Sequence, residues 1–309
     1  GSSYGHIYVR GDGCSNIPDS NTSADWTTRW SRIGASNICS TPTFSSTGSV
    51  TPTVSPGGSL SQILDWIDSA QESLHVHMYQ IHSPEISFAL RQAAQNGVNV
   101  TVVLDEGDTW WSDYSLRLQR GYASVLAASG VEVFWFGEPD YSDAPYGPYS
   151  YLHSKVAVLD DSSVWIGSGN WGRSTLPLDD NAGNVDWGVI VDSIDVASLV
   201  LERLEWDENP EHPHIKNHQA SSSTQGTPSG WSTPAPADET HSAPVSSLTT
   251  TGPVEGRLLT CPDDCMDGLV WLMDQADDEL LLSLQYLDMD WYWGWGPSPL
   301  LEALSDAAQ

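Results

Sequence analysis

Residues 151–171 read YLHSKVAVLDDSSVWIGSGNW. The run carrying His153 and Lys155 reads as a strand, SSVWI as the next strand, and GSGN (167–170) as a tight turn after it. On a strand, residues two apart share a face, so His153 and Lys155 project together while Ser154 and Val156 point the other way. Lysine is scarce, at two positions in 309 residues, and one of them sits beside this histidine. A neutral imidazole with an ammonium on one face suits attack on a phosphate: the histidine attacks or carries the proton, and the lysine binds non-bridging oxygens. The turn adds backbone N–H groups, the Ser168 hydroxyl and the Asn170 amide as donors to an oxyanion. Asp186, at the start of the apolar run DWGVIV, is placed to hold the His153 ring in the needed tautomer. A histidine in a strand is by itself more often packed or solvated. The scarce lysine, the spacing and the glycine turn together favour chemistry.

Charge sets the frame for the substrate. Eleven Lys and Arg stand against 41 Asp and Glu, a formal net charge of -30, so the summed field repels polyanions unless local charges override it. Nucleic-acid binding through a broad basic face is disfavoured. Such acidity suits solubility in high salt, and equally ordinary solubility. No run of 18 apolar residues is present, so no transmembrane helix is expected. The first residue is Gly1 rather than Met, as in a trimmed mature terminus or an expression remnant, and an extracytoplasmic or secreted location is the expectation. Cys14 with Cys39, and Cys261 with Cys265, form two local pairs that read as disulfides rather than as a zinc site. No metal and no cofactor are expected.

Outward from the opening stretch, apolar periodicity alternates between helix and strand. SLSQILDWIDSAQES places Ile63, Leu64, Ile67 and Ala70 on one helical face; LHVHMYQI reads as a strand, and SPEISFALRQAAQNG as a helix from Pro84 to Gly97. VNVTVVLD, a helix around YSLRLQRGYASVLAASG and VEVFWF continue the pattern. The expectation is an α/β fold, a mixed and mostly parallel sheet flanked by helices. Residues 1–56 read as an irregular or small β segment, 57–216 as the main domain, and the Ser/Thr/Pro-rich 217–256 as an exposed linker. Residues 257–309 begin the pattern again. MDGLVWLMDQADDELLLSLQYL (266–287) repeats the helix-then-strand order of residues 60–81. ISFALRQAAQ (86–95) aligns without gaps to LLEALSDAAQ (300–309), with identity at Ala89/Ala303, Leu90/Leu304, Ala93/Ala307, Ala94/Ala308 and Gln95/Gln309. An internal duplication accounts for both, the second copy being truncated before its own His-x-Lys.

His153-x-Lys155-x4-Asp160 followed by Gly167-Ser168-Gly169-Asn170 resembles the signature of the phospholipase D superfamily, and NVDWGV resembles its later Asn-x-acid element. The likeness covers roughly residues 57–210 and restarts near 258. It implies an α/β/α sandwich in which two half-domains bring two histidines to one site, one forming a phosphohistidine and the other protonating the leaving alcohol. It implies His153 as nucleophile, Lys155, Ser168 and Asn170 as phosphate ligands, Asp186 as the group orienting His153, and structural roles for Asp160 and Gly167. His77 is a candidate for the pocket wall, though a packed histidine is the simpler reading. HPHIKNH (212–218) reads as a solvated turn rather than a metal site, and DWYWGWGPSP (290–299) as local packing or an interfacial loop.

The function expected is hydrolysis or transfer of phospholipid headgroups. The alternatives are a nuclease of the same superfamily and a non-catalytic binding module. Partners expected are a phospholipid or other phosphodiester, a peripheral membrane surface, and a second half-domain in cis, with nucleic acid less favoured. This stretch alone is expected to be inactive unless it dimerises or joins the missing half.

Overall fold

A computed structural model describes residues 6–10, 26–30, 43–107, 111–137, 151–178, 182–212, 214–237, 248–261, 265–284 and 298–308. In chain order the elements are β1 (His6–Arg10), β2 (Trp26–Trp30), β3 (Thr43–Ser55), α1 (Ser59–Asp68), β4 (Ser73–Met78), α2 (Pro84–Gln95), β5 (Asn99–Asp105), α3 (Asp113–Ala128), β6 (Glu132–Phe136), β7 (Lys155–Leu159), β8 (Ser163–Gly167), β9 (Asp186–Asp192), α4 (Ile194–Asp207), β10 (Ile215–Asn217), β11 (Thr250–Arg257), α5 (Cys265–Met273) and α6 (Pro299–Ala307). Serine opens three of the helices. Ser83, Ser112 and Ser193 accept from the backbone N–H three residues on, and Pro84 follows in the first turn of α2, where its missing N–H costs nothing.

Nine strands form one sheet in the order β10-β6-β5-β4-β7-β8-β9-β3-β11. The class is α/β, as expected, and the sheet is mixed. The expectation of mostly parallel pairing needs correction. β4–β5 and β5–β6 are parallel, whereas β4–β7, β7–β8, β8–β9, β9–β3 and β6–β10 are antiparallel. The reason lies in the connections: α2 and α3 are long enough to cross over, while β7 and β8 are joined by a three-residue turn that can only reverse the chain. Asp160 and Asp161 hold that turn at φ 48 and 49, a left-handed conformation that Asp tolerates.

Helices α1, α2 and α3 cover one face of the sheet, and α4 packs on β4, β7, β8 and β9. The first face is the main core, where Ile63, Ile67, Leu74, Val76, Met78, Ile86 and Leu90 are fully buried. Each such side chain contributes about 1.5–3 kcal/mol by leaving water.

The Asp160 carboxylate, at the far end of β7 from Lys155, accepts from the backbone N–H groups of Gln71, Glu72 and Ser73 at 2.9, 2.7 and 2.9 Å. It fastens the α1–β4 turn to the β7–β8 turn. Burial alone would raise its pKa, but the three backbone donors hold it below the usual carboxylate range. The sign follows: this stabilisation is present above the ordinary carboxylate pKa and is lost as pH falls through the lowered one. Asp160→Ala is expected to lower stability by about 1–2 kcal/mol in urea titration while the folded fraction keeps its activity. Lost activity at unchanged stability would contradict a structural role.

Two segments differ from the sequence expectation. β3 is an interior strand of the sheet, paired from Ser49–Asp192 to Ser55–Asp186, rather than part of a separate lead-in. The expected linker is largely anchored: Arg120 donates to the Gly226 carbonyl, Arg117 to Ser229, and the Ala237 N–H to Glu85. The Trp231 ring lies so close to Gly121 that an added Cβ would sit 2.2 Å from it. A Ser/Pro-rich composition hides such anchors because a single tryptophan and a few carbonyls suffice.

Residues 1–30, 37–43 and 257–309 group as a second compact unit. Within it β1 pairs antiparallel with β2, α5 packs on α6, and Cys261 and Cys265 are disulfide-bonded. Helices α5 and α6 form within residues 257–309, but Leu281–Leu284, expected as part of a strand, form none. Cys14 and Cys39, and nearly all of 290–299, lie outside the described residues. Residues 212–218 are not a solvated turn: His214 is buried and stacks on Phe136 at 5.9 Å, and Ile215–Asn217 extend the sheet edge.

Candidate active site

One end of the sheet collects the motif. The C-terminal ends of β4, β5 and β8 meet the N-terminal ends of β7 and β9 there, the end at which open α/β sheets hold ligands. Lys155 opens β7 and is 7% exposed, on the main-core face opposite Met78. His153 precedes the strand in an extended segment and is exposed. His153 thus lies outside β7 rather than on a strand face shared with Lys155, and what joins the two residues is Tyr79. The His153 ring meets the Tyr79 ring edge-on at 4.7 Å, and the Lys155 Nζ lies 5.2 Å from the centre of that ring. Lys155 also donates to the His153 carbonyl at 2.6 Å.

Burial, and then the charge of Lys155, push the His153 pKa below its ordinary value, so the imidazole is neutral at pH 7. Burial also lowers the Lys155 pKa to about 8, although the carboxylates of Asp186 and Asp105 oppose it. A neutral imidazole thus stands beside a cation at neutral pH.

Ser168, Asn170 and Asp186 frame the other side. The Ser168 hydroxyl donates to Asp186 Oδ1 at 2.9 Å and accepts from the Trp187 N–H at 3.0 Å. The Asn170 amide donates to Gln80 Oε1 at 3.4 Å. Among the described residues Asn170 Oδ1 and Asp186 Oδ2 are buried without hydrogen-bond partners. Gly169 has to be glycine: a Cβ there would stand 2.8 Å from the Asp186 carboxyl carbon. At Gly167 a Cβ would come within 2.4 Å of the Trp165 ring, which fits the structural role expected of it.

Two expectations change. Asp186 engages Ser168 through Oδ1 rather than His153; among the described residues the His153 ring makes no hydrogen bond. His77 does not line this pocket. It pairs with Val156 across β4–β7, so strand alternation turns it to the α4 face, away from Lys155. There its Nε2 is 3.0 Å from Glu208, which also meets His75 Nδ1 at 2.9 Å, while Asp207 lies 3.6 Å from Nδ1 and acts as a charge. Burial opposes the charged ring, yet these carboxylates raise the His77 pKa to about 8. Among the described residues no group of three His, Cys, Asp or Glu could hold a metal ion.

Four residues that the sequence did not single out belong to this end: Tyr79, Gln80, Asp105 and Trp111. Asp105, 3% exposed, accepts from the Leu152 N–H at 2.9 Å and so holds the backbone that carries His153. Its signal was available, as an acid terminating the apolar strand VNVTVVLD.

Residues 63–207 match the family described as "Cardiolipin synthase, PLD-like domain". Curated relatives include mitochondrial cardiolipin hydrolase of Canis lupus familiaris, 30% identical over 155 residues (49% of this chain, 52% of that protein), and of Mus musculus, 29% identical over 152 residues (48% and 59%). Phospholipase D of Rickettsia bellii is 28% identical over 148 residues (48% and 62%). The matched region thus spans between half and two thirds of these relatives. Among solved structures, Nuc of Salmonella typhimurium, a phospholipase D family member, superposes with a TM-score of 0.45 at 24% identity, covering 56% of this chain and 99% of that one. Through residues 63–207 the chain is similar to members of the phospholipase D superfamily.

Proposed function

We propose that the chain carries a phosphodiesterase site of phospholipase D type, with His153 as nucleophile. The observation that supports it most is the pairing of a neutral His153 with a buried, charged Lys155 on one tyrosine ring. The imidazole nitrogen attacks phosphorus, a P–N bond forms as the P–O bond to the leaving alcohol breaks, and Lys155 with Asn170 neutralises the charge on the non-bridging oxygens. Ser168 joins them by turning its proton from Asp186 to the phosphate. The departing alkoxide takes a proton from a general acid, which we assign to the histidine of a second His-x-Lys half in cis. That histidine then activates water, or an acceptor alcohol, to release the phosphoryl group from His153.

The substrate class we propose is a phospholipid. The family description and the names of the relatives point to it, and a net charge of -30 works against a polyanion. The Cys261–Cys265 disulfide favours an oxidising, extracytoplasmic setting. No described helix is long and apolar enough to cross a membrane. Incubating the full-length protein with vesicles of phosphatidylcholine or phosphatidylglycerol, and separately with single-stranded DNA, tests the assignment. Headgroup release is the expected result. Cleavage of DNA alone would make the protein a nuclease, and no cleavage of either would make it a binding module.

A further inference from the structure

We propose that Tyr79 is the positioning residue of this site, its ring seating both the His153 imidazole and the Lys155 ammonium. This rests on the phosphodiesterase assignment for its catalytic consequence, but not for its geometry. Tyr79 follows β4 directly, and it is fixed on every side. Its N–H donates to the Ser154 carbonyl at 3.1 Å, between the two motif residues, and its carbonyl accepts from Gln119 Nε2 at 3.0 Å. Its hydroxyl accepts from Trp111 Nε1 at 2.7 Å, and the Trp111 ring meets it edge-on at 5.0 Å. Trp111 is itself 8% exposed, so the clamp is built into the core.

Against this fixed ring lie the two groups whose placement matters. Edge-on packing restricts the His153 ring, whose nitrogens have no hydrogen bond among the described residues to do so. The π face attracts the Lys155 ammonium and holds it beside the imidazole. Asp186, the other candidate for orienting His153, receives Ser168 on Oδ1 and makes no hydrogen bond to the His153 ring among the described residues. The tyrosine ring acts through shape and quadrupole, and a leucine of similar bulk could not reproduce it.

The test compares Tyr79→Leu with Tyr79→Phe in the full-length protein, reading kcat and KM on a phosphodiester substrate and the proton NMR resonance of His153 Cε1–H, assigned from its loss in His153→Asn. Because an error of about 1 Å in placing a reacting group costs on the order of 10²-fold, Tyr79→Leu is expected to lower kcat by about that factor with KM changed little. The resonance moves as the ring current is lost. Tyr79→Phe keeps the ring, restores most of kcat and leaves the resonance near its native position. Should Tyr79→Leu fail to fold, Trp111→Phe, which frees the hydroxyl, is expected to lower kcat and broaden the same resonance. Equal kcat for leucine and phenylalanine, or an unmoved resonance in Tyr79→Leu, would overturn the proposal; with Trp111→Phe, an unchanged kcat and line width would do so. A native protein inert on every phosphodiester would overturn the phosphodiesterase assignment instead, and the resonance would still decide the role of Tyr79.

Discussion

Replacing His153 with alanine is expected to lower kcat on a phosphodiester by about 10⁴-fold or more, because in the proposed mechanism it removes the atom that bonds to phosphorus. The size of the effect separates this role from its neighbours. A residue that only orients the imidazole leaves a functioning nucleophile in a fraction of molecules, and a residue that only binds phosphate leaves attack intact but slower. His153 is exposed and contributes little to the core, so the variant should keep the native unfolding transition. A kcat within tenfold of the native protein would show that phosphorus is attacked by another group.

The second large effect concerns Lys155 and pH. Lys155→Met is expected to lower kcat/KM by about 10²–10³-fold, the range for losing one preorganised donor to a developing oxyanion. Its titration also shapes the native profile. His153 must be neutral to attack, so activity falls on the acid side as the imidazole protonates, at a pH below the ordinary histidine range. Lys155 must be charged to bind the phosphate, so activity falls on the basic side near its pKa of about 8. Lys155→Arg keeps the cation at all accessible pH and is expected to move the basic limb upward, at reduced rate because a guanidinium fits poorly over the tyrosine. A basic limb that stays near pH 8 in the arginine variant would assign it to a different group.

The sequence carried the chemistry further than the architecture. Spacing alone put His153, Lys155, Asp160 and the glycine turn on adjacent elements, and period 3.6 with serine and proline starts located α1 and α2. Strand direction was not legible, because the reversal from β7 to β8 rests on a turn only three residues long, whose left-handed aspartates look like any polar pair. The membership of β3 was hidden for a related reason: its partner β9 lies more than 130 residues away in the chain, and no local pattern reports such a pairing. Tyr79 and Trp111 escaped notice because an aromatic at a strand end or helix entry is usually core. Only the contact of Tyr79 with His153 and Lys155, and that of Trp111 with Tyr79, sets them apart. The orientation of Asp186 toward Ser168 was likewise invisible, since the same strand start could serve either neighbour.

The most direct test of the central claim is to trap the covalent intermediate. The full-length protein is mixed with a phosphodiester substrate, quenched within one turnover, digested under alkaline conditions that preserve phosphoramidates, and mapped by mass spectrometry. The account predicts the substrate's phosphoryl group on His153, within the peptide containing residues 151–171, and its absence in His153→Asn. Turnover that leaves this peptide unmodified at every quench time, or that modifies another residue, would contradict it.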